Sequence, residues 1–237
     1  MNAEEKSIET LGKIKKIFDK HNIEYWLDEG TLLGAVREKK IIKWDHDIDL
    51  GAWVTTIPKI IPLFDEIRKE GIEVGFHEGK KHIKFLSKGY EIDINPYHLK
   101  NKKATRTWYK HNKIGQILDY LIWTLNLKNA KMRISDAPYS ITKIIAIIGK
   151  KLPKSINNKV TKIMFKIYEK VGCTFVPTAA PSYFFTELSS LKFYNMAFKV
   201  PKKTEEYLEY KYGKDWKTPK RDYIYTTDDK SIVNNQN

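Results

Sequence analysis

Between Ser7 and Lys20 the apolar positions Ile8, Leu11, Ile14 and Ile17/Phe18 recur at the spacing of one helical face, with Asn22 near the end. IEYWLD (23–28) is β-branched and aromatic and predicts a strand. In the following EGTLLGAVRE, Gly30 suits a tight exit from that strand and Thr31 can cap a short helix through Arg37. DIDLGAWV (47–54) alternates as a second strand. PKIIPLFDEIRKEG opens on Pro and closes on Gly, and predicts a helix of about three turns. IEVGFH (72–77), KHIKFLS (81–87) and YEIDINPY (90–97) predict three more strands, with turns at Glu78–Gly79 and Lys88–Gly89.

Residues 1–100 thus predict an α+β order, α-β-α-β-α-β-β-β, and a mixed sheet with helices packed on one face. The pattern then changes. Helices are expected near 114–127, 140–149 and 155–171. In the last, Ile156, Val160, Ile163, Ile167 and Val171 form one stripe, and Lys159, Lys162, Lys166 and Lys170 line its flank. Such a helix either packs on a protein core or lies at a membrane surface, with lysine stems along the apolar layer and ammonium groups at lipid phosphates. In the tail, Pro201 precedes a helix through Tyr212 that Gly213 ends, and DDKSIVNNQN is polar enough to fray. Three parts are expected: a catalytic core over 1–100, a basic helical segment over 101–171 facing an acceptor or a membrane, and a segment over 172–237 packing back on the core.

Charge sharpens that division. Residues 1–100 carry a net charge of −1, 101–170 carry +13 and 171–237 carry +2, within a total of +14. The middle segment should therefore face something anionic, or else be a solvated lysine-rich surface. The 237 residues suffice for one sizeable domain with or without an appended subdomain. The one cysteine, Cys173, excludes an intrachain disulfide and a Cys-rich zinc site, suits a reducing compartment, and reads as an inert buried thiol. The charged start carries no secretory signal core, and no apolar run is long enough to span a membrane, so a cytoplasmic chain is expected.

The candidate chemistry lies in WDHDIDLGAW (44–53). On a strand, residues i and i+2 share a face about 7 Å apart, so Asp47 and Asp49 project together while Ile48 and Leu50 enter the core. At about 4 Å and an effective dielectric of 20, two bare carboxylates repel by roughly 4 kcal/mol. A divalent cation between them converts that repulsion into binding, and hard oxygen donors favour Mg²⁺ or Mn²⁺. Asp93, in Ile92-Asp93-Ile94 on a neighbouring predicted strand, can supply a third carboxylate as ligand or base. Upstream, Gly30 and Thr31 open a helix whose free N–H groups suit a phosphate, and Arg37 offers a cation or an ion pair to Glu29 or Asp28. Asp45 precedes the strand and reads as a turn or outer-shell residue. His46 has the wrong parity for a ligand. His82, His98 and His111 read as ordinary polar residues, and Trp44 and Trp53 as core.

GTLLGAVR (30–37), IIKWDHDIDLG (41–51), EIDINPY (91–97) and VPKKTEEYLEYKYGKDW (200–216) together resemble the LicD/fukutin family of phosphotransferases, on its bacterial LicD-like side. The resemblance covers the first hundred residues well, the tail reasonably and the basic middle poorly; Glu38 stands where the family often has histidine. It implies a nucleotidyltransferase-like fold and transfer of a phospho-substituent, such as phosphocholine or ribitol phosphate, from a CDP-linked donor to a hydroxyl of a cell-surface glycan or its lipid-linked precursor. By motif match, Asp47, Asp49 and Asp93 take the metal and catalytic positions, and Gly30 and Thr31 the nucleotide-binding turn. The animal branch's membrane anchor and zinc-binding loop are not expected here.

Residues 155–171 are then a candidate peripheral contact with the inner face of a membrane. A nucleotidyltransferase acting on RNA or protein is the rival enzyme reading, though no RNP-like motif or glycine-rich RNA loop accompanies the basic segment and nucleic acid is disfavoured as a partner. A glycan- or membrane-binding module with a degenerate site is the non-catalytic rival, against which the intact carboxylate set argues.

Overall fold

The computed structural model describes residues 1–126, 144, 147–148 and 151–233. Helix α1 (Ala3–Lys20) starts earlier than its apolar spacing suggests, because Asn2 caps it. The Asn2 side chain accepts the Glu5 N–H and the Glu5 carboxylate accepts the Asn2 N–H. Strand β1 is only Trp26–Leu27, and leads into α2 (Glu29–Arg37) and β2 (Asp47–Trp53). The single helix expected next is broken into α3 (Ile57–Ile60) and α4 (Phe64–Lys69) by a tight turn at Pro62, which has no N–H to continue the ladder. Strands β3 (Glu73–His77), β4 (His82–Leu86) and β5 (Glu91–Lys100) follow near their expected positions.

Beyond residue 100, strand β6 (Lys103–His111) departs from the all-helical expectation for the basic segment. Its alternation is hidden by lysines on the exposed side, while Ala104 and Arg106 are buried. Helices α5 (Lys113–Asn126) and α6 (Lys154–Ile167) come next, and α6 ends in a wide turn at Tyr168–Gly172. The expected helix at 140–149 lies outside the described residues, except for Ile144, Ile147 and Ile148, which are helical. The chain closes with β7 (Cys173–Pro181), α7 (Tyr183–Thr186), β8 (Leu188–Phe193), β9 (Met196–Pro201) and α8 (Thr204–Tyr212), after which Gly213 takes a left-handed φ of 89°.

The main sheet is mixed, in the order β1-β2-β5-β4-β3. The β2–β5 pair is parallel and sets Asp47 beside Glu91, Asp49 beside Asp93 and Gly51 beside Asn95. Strand β5 is long enough to serve two neighbourhoods. Its first half lies between β2 and β4, and its end turns back at Asn101–Lys102 into β6, which pairs along its length with β7. Strands β8 and β9 form a separate hairpin.

Ile48, Leu50, Ile92 and Ile94 are fully buried from the two parallel strands, packed with Leu11, Ile14 and Phe18 of α1. Trp26 sits at the centre, its ring 5.1 Å from Phe185 and 5.6 Å from Trp53, so Trp53 is core as its apolar setting suggested. Helices α5 and α6 stand against β3 and β4: Trp123 and Phe165 lie 5.5 and 5.0 Å from the His77 ring. The start of α5 presses on the wide turn at Gly115, where a Cβ would lie 1.7 Å from the Gly172 carbonyl oxygen. Among the described residues, no helix is long and apolar enough to cross a membrane.

Candidate metal and catalytic site

The parallel register brings the three sequence-selected carboxylates together. Asp47, Asp49 and Asp93 offer oxygen atoms that all lie within 4.8 Å of one another. Their strand neighbours Ile48, Leu50, Ile92 and Ile94 anchor the opposite face in the core, so alternation alone aims the acids outward. The Asp93 Oδ1 is buried and has no hydrogen-bond partner; the nearest donor, His82 Nε2, is 3.5 Å away. A buried carboxylate oxygen left open beside two further carboxylates fits a hard divalent cation.

Helix α2 is fastened to β2 at the same point. The Thr31 hydroxyl accepts the Asp49 N–H at 2.8 Å, and the Asp28 N–H donates to the Asp49 carbonyl at 3.1 Å. Thr31 therefore lies inside α2 rather than capping it, and with 1% of its surface exposed it braces Asp49 in place of presenting an open hydroxyl to a phosphate. At the exit from the strand, Glu29 takes the left-handed conformation, at φ 47°. Gly30 serves a close approach: a Cβ there would lie 2.3 Å from Asp45 Oδ2. Asp45 occupies a turn, its N–H donating to the Ile42 carbonyl, and its carboxyl hydrogen-bonds Asp47.

This crowding governs protonation. Burial first, then the hydrogen bond and charge of Asp45 and the charge of Asp93, push Asp47 up to about 8. Burial and the charges of Asp47, Glu29 and Asp93 raise Asp49 as well. Asp93 goes the other way. Burial would raise it, but the Lys84 ammonium at 3.5 Å holds it down at about 2. Lys84 is itself raised, since the charges of Asp93 and Glu91 outweigh its burial, and it bonds Glu91 at 2.5 Å. A carboxylate held so low is ionised, which is the form a metal ligand needs.

Behind the acids lies a buried network that sequence reasoning missed. Asn95 Nδ2 donates to Asp49 Oδ1 at 2.7 Å, and Arg106 donates to Asn95 Oδ1 and to Glu29 Oε1, both at 2.9 Å. Lys211 of α8 holds the other Glu29 oxygen at 2.9 Å and Asp229 at 2.6 Å. Asp28 accepts from the Tyr97 and Tyr207 hydroxyls. Asn95 was within reach of the sequence, because EIDINPY gives it the parity of Asp93. Arg106 and Lys211 carry no local signal and are found only through the packing of β6 and α8.

Arg37 pairs with Glu38 at 2.7 Å and donates to the Trp216 carbonyl at 3.2 Å, so its ion-pair partner is neither Glu29 nor Asp28. It does line the cavity that opens over the carboxylates, about 820 Å³ in volume. That is the size of a small-molecule site. Aromatic rings wall it. Trp108 lies 4.4 Å from Tyr225 with the Arg106 guanidinium 3.6 Å from its ring, and Arg221 sits 5.1 Å from the Trp44 ring. Trp44 thus touches both core and cavity. His82 also lines the cavity, against its reading as an ordinary polar residue, and burial lowers its pKa. Cys173 is only half-buried.

Residues 22–122 match the LicD/FKTN/FKRP nucleotidyltransferase domain. Over 130 residues the chain is 26% identical to the ribitol 5-phosphate transferases FKRP of Mus musculus and Homo sapiens, a match covering 49% of this chain and 26% of each relative. It is 40% identical over 55 residues to an uncharacterised protein of Rickettsia prowazekii (strain Madrid E), covering 22% of this chain and 21% of that one. The match thus spans about a fifth to a quarter of the length of these curated relatives. Among solved structures, the antibiotic-resistance factor ANT(2'')-Ia aligns with a TM-score of 0.33 at 14% identity, covering 68% of this chain and 92% of that chain.

Two expectations follow from the electrostatics. Asp47 at about 8 in the folded chain keeps a proton that an ordinary carboxylate of 3.8 has lost, so metal-free stability falls as pH rises through that window. Mg²⁺ or Mn²⁺ should abolish the fall and release protons on binding, as read by urea midpoints across pH with and without metal and by calorimetry in buffers of different ionisation enthalpy. Arg106→Ala strands Glu29 and Asn95 in the interior and should cost about 3–5 kcal/mol in chemical denaturation; a loss under about 1 kcal/mol would show that the network is dispensable.

Proposed function

We propose, from the match of residues 22–122 to the LicD/FKTN/FKRP nucleotidyltransferase domain, that this chain is a metal-dependent phosphotransferase that moves a phospho-substituent from a CDP-linked donor to a hydroxyl of a cell-surface glycan or its lipid-linked precursor. The observation that carries the reading is the open carboxylate set of Asp47, Asp49 and Asp93 at the base of an aromatic-walled cavity. The ribitol 5-phosphate transferases among its relatives make ribitol phosphate one candidate substituent and phosphocholine or glycerol phosphate others.

Asp47, Asp49 and Asp93 would hold Mg²⁺ or Mn²⁺, which when bound would supply charge neutralisation at the diphosphate of the donor. Asn95 fixes the Asp49 carboxylate, and Thr31 fixes its backbone, so the ligands are set before the donor arrives. Gly30 lines the cavity with the Asp45 carboxylate against it, and Arg37, already on the cavity wall, is placed to meet a phosphate. The aromatic walls at Trp44 and Trp108 suit the nucleoside end. The acceptor hydroxyl oxygen forms the new P–O bond, the P–O bond to CMP breaks, and the hydroxyl proton leaves to water. The basic middle segment holds the anionic acceptor, with 155–171 as its membrane-side edge.

The test is incubation with CDP-ribitol, CDP-choline and CDP-glycerol, Mg²⁺ or Mn²⁺ and a panel of glycan acceptors, reading CMP release and acceptor mass. One donor should be turned over, and Asp49→Ala should lower the rate by about a hundredfold or more. No turnover of any donor, with label passing instead from an α-phosphate-labelled nucleoside triphosphate to RNA or protein, would reverse the assignment.

A further inference from the structure

The apolar stripe of α6 faces outward. Ile156, Ile163 and Ile167 share one line of the helix and are 46%, 60% and 47% exposed. The wide turn continues that line with Val171, also exposed. The inward face of α6 is a different one, made by Thr161, Phe165 and the start of the turn at Tyr168. Helix α5, packed beside α6, adds exposed Ile114 and Ile117. Apolar surface on this scale is unusual on an unpartnered chain.

The lysines decide what covers it. Lys159, Lys162, Lys166 and Lys170 run along the edge of the same stripe, all exposed and none paired with a carboxylate among the described residues. A second copy of the chain, packing the same face against itself, would set these lysines against one another. An anionic bilayer suits both lines at once, isoleucines entering the acyl boundary and ammonium groups resting at phosphates. We infer that the α5–α6 face is a docking surface for an anionic lipid membrane. The surface is joined to the carboxylate site through Trp123 of α5, whose ring lies 5.4 Å from that of His82 and 5.7 Å from the Lys84 ammonium that holds Asp93. Docking there would bring the chain to the membrane in which a lipid-linked acceptor is held. In that respect the inference extends the transferase reading, but vesicle binding is measured without donor, so either can fail alone.

The test is co-sedimentation of the full chain with vesicles of phosphatidylcholine alone and of equal parts phosphatidylcholine and phosphatidylglycerol. Binding should be confined to the anionic vesicles and weaken as salt rises. Lys162→Gln and Lys166→Gln should each lower the partition about fivefold at low salt. Ile163→Asp with Ile167→Asp should remove binding while the unfolding temperature and Mn²⁺ affinity stay at wild-type values. Absence of binding, equal binding to both vesicle types, or full binding by the Asp double variant would overturn the inference. So would a concentration-dependent dimer that Ile163→Asp disperses.

Discussion

Three carboxylates within 4.8 Å of one another are the condition to which the surrounding structure responds. At that separation each ionised pair costs about 3 kcal/mol at an effective dielectric of 20. The parallel ladder imposes this, because Asp49 and Asp93 are register partners on adjacent strands whose other faces are committed to the core. Relief comes from distinct sources on each acid. Lys84 serves Asp93, the Asn95 amide serves Asp49, and Asp47, its pKa pushed up to about 8 by burial and by Asp45, is relieved by taking up a proton. The last is the weakest of these, and a divalent cation is its natural replacement.

The site draws on every part of the chain. Glu29 opens α2, Arg106 comes from β6 in the basic segment, and Lys211 comes from α8 near the C-terminus. These three, with Asn95, form a continuous buried path from α8 to the Asp49 carboxylate. Buried charges that satisfy one another hold geometry more strictly than they add stability. Strand β6, extending the sheet from the end of β5, delivers Arg106 onto Glu29 and Asn95.

Periodicity made the carboxylates legible. Asp49 and Asp93 each sit between buried aliphatic residues and Asp47 shares the parity of Asp49, and strand parity needs no tertiary information. Gly30 was visible as a glycine beside the strand exit, but its close contact with Asp45 and the left-handed φ of Glu29 needed the tertiary structure. Thr31 looked like a cap because Ser and Thr often are, and only the pairing of α2 with β2 reveals its hydroxyl as the acceptor for Asp49. Strand β6 was hidden because its lysines resemble those of the neighbouring helices. Arg106 and Lys211 read as two cations among many, and nothing local separates a buried one from an exposed one. The stripe of α6 was found correctly as an apolar line, whereas the side of the helix that packs inward was fixed by Phe165 and Tyr168 meeting His77 and Tyr109.

The most direct measurement is anomalous scattering from crystals of the chain grown with Mn²⁺. The account predicts an ion bound by oxygens of Asp47, Asp49 and Asp93, with Asn95 still bonded to Asp49 and Asp45 outside the ligand set. No ion at these carboxylates in Mn²⁺-saturated crystals, or Mn²⁺ held only elsewhere, would contradict it.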